Sequence, residues 1–404
     1  MLKRALIIVS VLTGLISTGC TSDEAGHLLT RTADAWNVAA EPRLVVGTEA
    51  SVPGGVLDLV RDAAPLTDGR VVVANGGLSS RLAMYSAQGE YLGSVGREGE
   101  GPGEFRWITK VETGPHDSLF VFDASLQRMT VFLPDGEVAR TASFVPVGDM
   151  RGSGLQSVTR MADGQTWVGR GRSRIRAGPA NVILRDTVSI GLLDETFSEF
   201  RVLQDLPDQM MTTTEIGGRR AFRSPAFSPA VVHAVWGRCI FLSKGDDSSI
   251  SVFGADGSVV AEFEGPGVPR PVAARHLEVR EEALLRAAPE DAGPFVRRMF
   301  RDEAKTTHLP YYHAMIADEW GQIWLQKYTP PWGMGRSWYV ISQSGDWLGE
   351  VEMPKVLTVF SITQDGVLAG ARGEFDEETV ELFPWTRLPV EMADPLPECV
   401  VPAR

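Results

Sequence analysis

A unit of turn and apolar strand recurs along this chain, and its spacing leaves few folds open. Thr67-Asp68-Gly69-Arg70 leads into Val71-Val72-Val73-Ala74, then Arg81 to Tyr85, a turn at Gly89 and a third short strand. The same order returns at His116-Asp117-Ser118, with Leu119 to Phe122, Arg128 to Phe132 and the turn Pro134-Asp135-Gly136. Further copies begin at Ala162-Asp163-Gly164, Trp236-Gly237-Arg238, Glu319-Trp320-Gly321 and Gln364-Asp365-Gly366. Asp-Gly pairs between apolar runs are hairpin signals, because glycine takes the positive φ that a tight turn demands.

The strands after these turns start near residues 71, 119, 166, 239, 323 and 367, with short intervals of 44–48 residues. A repeat of about 40–50 residues with several strands each is the spacing of a β-propeller. One such sheet has two faces to bury, so it is not stable alone, and closing the ring protects the terminal sheets. The expectation is an all-β, six-bladed β-propeller over residues 42–392, with a 393–404 C-terminal tail and Pro42 to Val46 closing the last blade. The interval from 239 to 323 is long. Ala273, Leu277, Leu284 and Ala288 fall on one helical face, and Pro289-Glu290-Asp291 opens a second helix. A helical hairpin inserted between two blades is expected at about 272–305.

The first nineteen residues read as an export signal: Lys3 and Arg4, an apolar run from Ala5 to Ile16, then small residues. Ser17-Thr18-Gly19-Cys20 resembles the lipobox of bacterial lipoproteins, with Ser17 where Leu is usual. That resemblance implies lipidation of Cys20. The polar, Ala-rich stretch that follows reads as a flexible tether over residues 20–41, in which Trp36 is incidental. Gly96-Arg97-Glu98-Gly99-Glu100-Gly101-Pro102-Gly103-Glu104-Phe105 resembles the interblade link of NHL-repeat propellers. It is closer still to the six-bladed propeller lipoproteins of Gram-negative bacteria. The strand pair beginning with Arg and ending in Tyr or Phe, at Arg81 to Tyr85 and Arg128 to Phe132, is similar to theirs. The implied location is the bacterial inner or outer membrane, periplasmic or surface-facing, held by a lipid anchor.

The whole chain carries a formal charge of −13, and without residues 1–19 it has 37 basic against 52 acidic residues, or −15. So acidic a chain is not built to bind nucleic acid. Cys239 and Cys399 remain after the leader; an oxidising compartment permits a bond between them, but Cys239 lies in an apolar run, so a buried free thiol is the simpler expectation. The glycine-rich link lacks the Lys-Ser/Thr of a phosphate loop, no Ser sits in a nucleophile elbow, and none of the six His forms a zinc motif. Binding of a protein, peptide or carbohydrate is therefore expected rather than catalysis, with no cofactor. Candidate contacts are the irregular aromatic loop holding Tyr328, Trp332 and Arg336, and the alternating Arg170, Arg172, Arg174 and Arg176. The alternative is a channel-mouth hydrolase or lyase with Ca or Zn held by Asn75 and Asp123, which follow inner strands.

Overall fold

The computed structural model describes residues 36–48, 55–76, 80–145, 154–171, 183–216, 219–289, 292–302, 305–373, 376–387 and 394–400. Cys20 and its leader lie outside these residues, as do Arg172, Arg174 and Arg176.

Six antiparallel sheets follow one another along the chain. The first comprises Val60–Pro65, Val71–Asn75, Arg81–Tyr85 and Tyr91–Val95; the second Ile108–Thr113, Leu119–Asp123, Arg128–Phe132 and Val138–Ser143. The third starts with Leu155–Arg160 and Trp167–Gly171 and has five strands, two of them long, Ile183–Leu193 and Phe200–Ile216. The fourth and fifth run from Val232–Trp236 to Val259–Glu264 and from Tyr312–Ala317 to Trp347–Glu352. The sixth uses Thr358–Thr363, Gly366–Arg372 and Glu378–Phe383, and takes its outermost strand, Leu44–Val46, from the start of the chain. The register is Leu44 on Leu382 and Val46 on Val380.

Burial explains the strand sequences. The second strands, such as Val71–Asn75, Leu119–Asp123 and Cys239–Ser243, are buried at every position because both sheet faces are covered. The outer strand Val138–Ser143 is mostly exposed and correspondingly polar. Six apolar clusters each span two neighbouring sheets. Val72 and Leu82 of the first meet Phe105, Ile108 and Val121 of the second. Phe122 and Val131 meet Trp167, and Val168 and Ile190 meet Ile240. Phe241 meets Leu325, Trp338 meets Val367, and Leu368 and Val380 meet Val73 and Tyr85 of the first sheet again. The last cluster closes the ring, so each sheet is buried on both sides without a free end. This is the expected β-propeller.

Two ends of the chain are tied in differently from expectation. Trp36–Val38 pairs with Trp385–Arg387, and the buried Trp36 meets Trp324 edge-on with ring centres 6.0 Å apart, so Trp36 belongs to the folded body. Cys239 is buried as expected but is not a free thiol: it is disulfide-bonded to Cys399, with Cα atoms 5.0 Å apart. The backbone around Cys399 is also held, since Arg238 donates its N–H to the Cys399 carbonyl at 2.8 Å.

The inserted helical hairpin comprises α1 (Ala274–Ala287) and α2 (Gly293–Asp302). Leu277 and Leu284 of α1 and Phe300 of α2 pack with Ala226, Phe227, Leu309 and Tyr328. The apolar stripe that identifies the helices is thus the face that seats them on the ring.

Candidate binding site at the mouth of the ring

In five of the six innermost strands one residue drops out of register with the second strand. Val60 pairs with Asn75 and Asp62 with Ala74, leaving Arg61 without a partner position. Thr109, Gln156, His313 and Phe360 are skipped in the same way in the second, third, fifth and sixth blades. A β-bulge bends its strand and re-aims the extra side chain, and bulges concentrate where a sheet must present a residue. Each lies near the start of its strand, so all five fall at the end of the ring where the interblade links enter. Three of them, Arg61, Thr109 and Gln156, line a cavity of about 950 Å³ together with Trp107, Arg170 and Gln209.

The charges around this cavity differ in how they are occupied. Arg170 is bound to the Asp208 carboxylate at 2.9 Å and to the Val231 carbonyl at 3.0 Å. Asp208 also accepts the Val231 N–H at 2.8 Å, which fixes the pair. Arg106 is paired with Glu100 at 2.7 Å. The Arg61 guanidinium instead lies over the Trp107 ring, 4.0 Å from its centre. Its buried Nε has no hydrogen-bond partner among the described residues, and neither has the Thr109 hydroxyl. Burial pulls the Arg61 pKa down, and the Glu378 charge pulls it back up. Gly76 makes room for this side chain, because a Cβ there would stand 3.0 Å from the Arg61 Cγ. Trp107 is 41% exposed, so one aromatic face and one guanidinium edge are presented to the cavity together.

A buried charged group stands behind this site on the innermost strands. Lys110 Nζ is 3.1 Å from Asp62 and 4.0 Å from Glu112, and Asp62 accepts the Val111 N–H at 2.9 Å. Glu112 accepts the Arg160 N–H at 3.0 Å. Burial pushes the Glu112 carboxyl up to about 7, against the pull of Lys110. His233 is pushed down to about 3, by burial first and then by Arg170 and Lys110.

Several expected site residues turn out to serve the fold. Tyr328 is only 8% exposed and sits under the helical hairpin, edge-on to Phe227. Trp332 is 47% exposed, but Arg280 of α1 stacks on its ring at 3.7 Å and donates to the Pro331 carbonyl at 2.9 Å. Arg336 donates to the Met353 carbonyl at 2.8 Å and pairs with Glu352 at 3.3 Å. The aromatic loop is therefore the seat of the hairpin. Asn75 is buried, with its side-chain oxygen accepting the Asp58 N–H at 2.7 Å. Asp123 is buried too. One oxygen accepts the N–H groups of Arg106 and Trp107, and the other those of Ser125 and Leu126. With both oxygens committed to backbone, Asp123 is a loop cap and not a metal ligand at the channel mouth. Among the described residues no group of three or more His, Cys, Asp and Glu is arranged to hold a metal ion. Of the candidate residues within the described chain only Arg170 lines the cavity, as half of an ion pair. Sequence reasoning missed Arg61, Thr109 and Gln156, which carry no motif; Trp107 stood two residues beyond the recognisable glycine-rich link.

The ring of sheets with its inserted hairpin places the chain in the β-propeller class. No family model matches it, and no curated protein does. Among solved structures it is similar to a Bacteroides fragilis protein described as exported. The two share 10% identity at a TM-score of 0.50, over 89% of this chain and 98% of that one. A DUF4221 family member from Bacteroides vulgatus shares 9% identity at 0.48, over 87% and 99%. A gluconolactonase from Xanthomonas campestris shares 12% at 0.43, over 81% and 87%. Likeness at this identity concerns the fold alone, and that fold is propeller-like.

Proposed function

We propose that this chain is an exported, lipid-anchored binding module of the bacterial cell envelope. Its ligand carries a carboxylate or similar oxyanion and docks in the cavity at the ring mouth. The observation that carries the reading is Arg61: a guanidinium stacked on Trp107 and lining a cavity of about 950 Å³, in no ion pair among the described residues. A guanidinium edge beside an aromatic face suits an oxyanion attached to a flat or apolar body. The cavity is at the upper end of small-ligand sites, so a short peptide or an acidic sugar also fits its size. The leader ending at Cys20 supports export and anchoring, and the Cys239–Cys399 bridge suits an oxidising compartment. The glycine-rich link at Gly96 to Phe105 supports kinship with the NHL-like propeller lipoproteins.

The test is calorimetric titration of a chain beginning at Thr21 with small carboxylates, uronic acids and acidic peptides. Binding that Arg61→Ala removes and Arg61→Lys weakens supports the proposal. Oxyanion binding that survives Arg61→Ala, or none across the panel, refutes it. Lipid anchoring is checked separately: radiolabelled fatty acid is incorporated by the full chain and not by Cys20→Ala.

A further inference from the structure

A second cavity, of about 350 Å³, is lined in part by the residue that precedes Arg61 in the innermost strand of the first blade. Val60 lines the second cavity and Arg61, the next residue, lines the first. The second cavity is largely apolar, with Met334, Val356, Phe360 and Ala371 on its walls. Phe360 is the bulged residue of the sixth blade's innermost strand, at the position Arg61 holds in the first blade. These two strands pack against each other where the ring closes. The one pair of charges in the second cavity is self-satisfied. Glu378 pairs with Arg372 and accepts the Val60 N–H at 2.5 Å. The same carboxylate is the charge that acts on Arg61. An anion anchor and an apolar recess thus stand at corresponding bulges of two innermost strands that pack against each other.

We infer that the ligand is a single-chain amphiphile, with a carboxylate head on Arg61 and an apolar tail in the Val60–Phe360 recess. This deepens the reading of Arg61 given above and rests on it. A recess of about 350 Å³ is small for a ligand site, so it takes a medium-length tail and not a folded polymer. Met334 adds an adaptable, polarisable wall, which suits a tail without fixed shape. Arg372 and Glu378 pair with each other, so neither presents an unpartnered charge to the recess.

The experiment compares butanoate, octanoate and decanoate, all below their micelle concentrations, by calorimetry on the chain beginning at Thr21. Burying each added methylene strengthens binding about fourfold until the recess is full. Arg61→Ala removes binding of all three. Val356→Glu places a charge at the recess edge on a residue that is 49% exposed, and so spares the fold. It weakens decanoate at least tenfold and leaves butanoate unchanged. The inference is overturned, with the Arg61 reading intact, if all three bind equally and all are lost in Arg61→Ala. It is overturned together with that reading if none binds. Decanol binding as tightly as decanoate removes the head anchor, and decyl phosphate binding where decanoate does not removes the carboxylate assignment; either result sinks the amphiphile as stated.

Discussion

Breaking the Cys239–Cys399 bridge should destabilise the ring by an amount that follows from its place in the chain. The bridge spans 160 residues and so encloses most of the fourth blade, the helical hairpin, and the fifth and sixth blades. Closing a loop of that length in the unfolded chain removes about 5 kcal/mol of conformational freedom on the chain-entropy account. The folded body has roughly 0.7–0.8 kcal/mol per degree of unfolding entropy at about 2.1 cal/mol/K per residue, so the melting temperature should fall by about 6 °C. Scanning calorimetry of the oxidised chain against the same chain held in reductant measures this directly. The double substitution Cys239→Ala with Cys399→Ala should fall by at least as much, since both sulfurs are buried in the core between the fourth and fifth blades. In a chain beginning at Thr21, thiol titration after denaturation without reductant should find no free thiol. A reduced chain melting within a degree of the oxidised one would refute the reasoning. It would mean that the paired strand Leu44–Val46 already holds the ring closed without the covalent tie.

Trp36→Ala should cost about 3–5 kcal/mol, read by denaturant unfolding, because it empties a buried site against Trp324 and Val351. A loss under 1 kcal/mol would return Trp36 to an incidental role. Glu112 has a folded pKa of about 7 against an unfolded value near 4.5, so its contribution is fully present below pH 4.5 and is lost as pH rises through 7. Relative to Glu112→Gln, the wild type should lose up to about 3 kcal/mol between pH 4.5 and 8, at about 1.4 kcal/mol per pKa unit; parallel stability curves for the two would contradict this. Asp123→Ala should cost about 3 kcal/mol, since it strands four backbone N–H groups that now donate to one carboxylate. The same stability with added Ca or Zn, in both forms, separates a cap from a metal ligand.

Much of the fold is readable from residues with short-range meaning. Asp68-Gly69, Asp135-Gly136 and Asp256-Gly257 mark hairpins, and each of these glycines has positive φ. The spacing between such turns counts the blades, and Leu44 to Val46 could be assigned to closure because a ring needs a last strand. The 3.6-residue stripe of Leu277 and Leu284 marks the hairpin and the face that seats it. Pairing of Cys239 with Cys399 was not readable, since it depends on the C-terminal segment returning to the fourth blade. Tyr328 and Trp332 were misread for a related reason. An aromatic-rich irregular loop looks like a binding loop until the element that covers it is known, and here Arg280 and Phe300 come from an insertion roughly thirty to fifty residues upstream.

The site was least readable because its residues are chosen by register and not by type. Arg61, Thr109, Gln156, His313 and Phe360 share no chemistry, and no pattern in the sequence links them. What they share is the skipped position near the start of an innermost strand. That position costs a ladder hydrogen bond, so it persists only where the flanking blades hold the strand in place. The ring supplies this support five times over, and Arg61, Thr109 and Gln156 point away from the interblade clusters, whereas Phe360 packs against the one that closes the ring. A propeller built this way keeps its stability in Val72, Phe122, Phe241 and their neighbours, while the proposed site is lined by the bulged Arg61, Thr109 and Gln156 of the first three blades. Exchanging Arg61 should accordingly change what binds while barely moving the melting temperature, whereas exchanging Val72 should do the reverse.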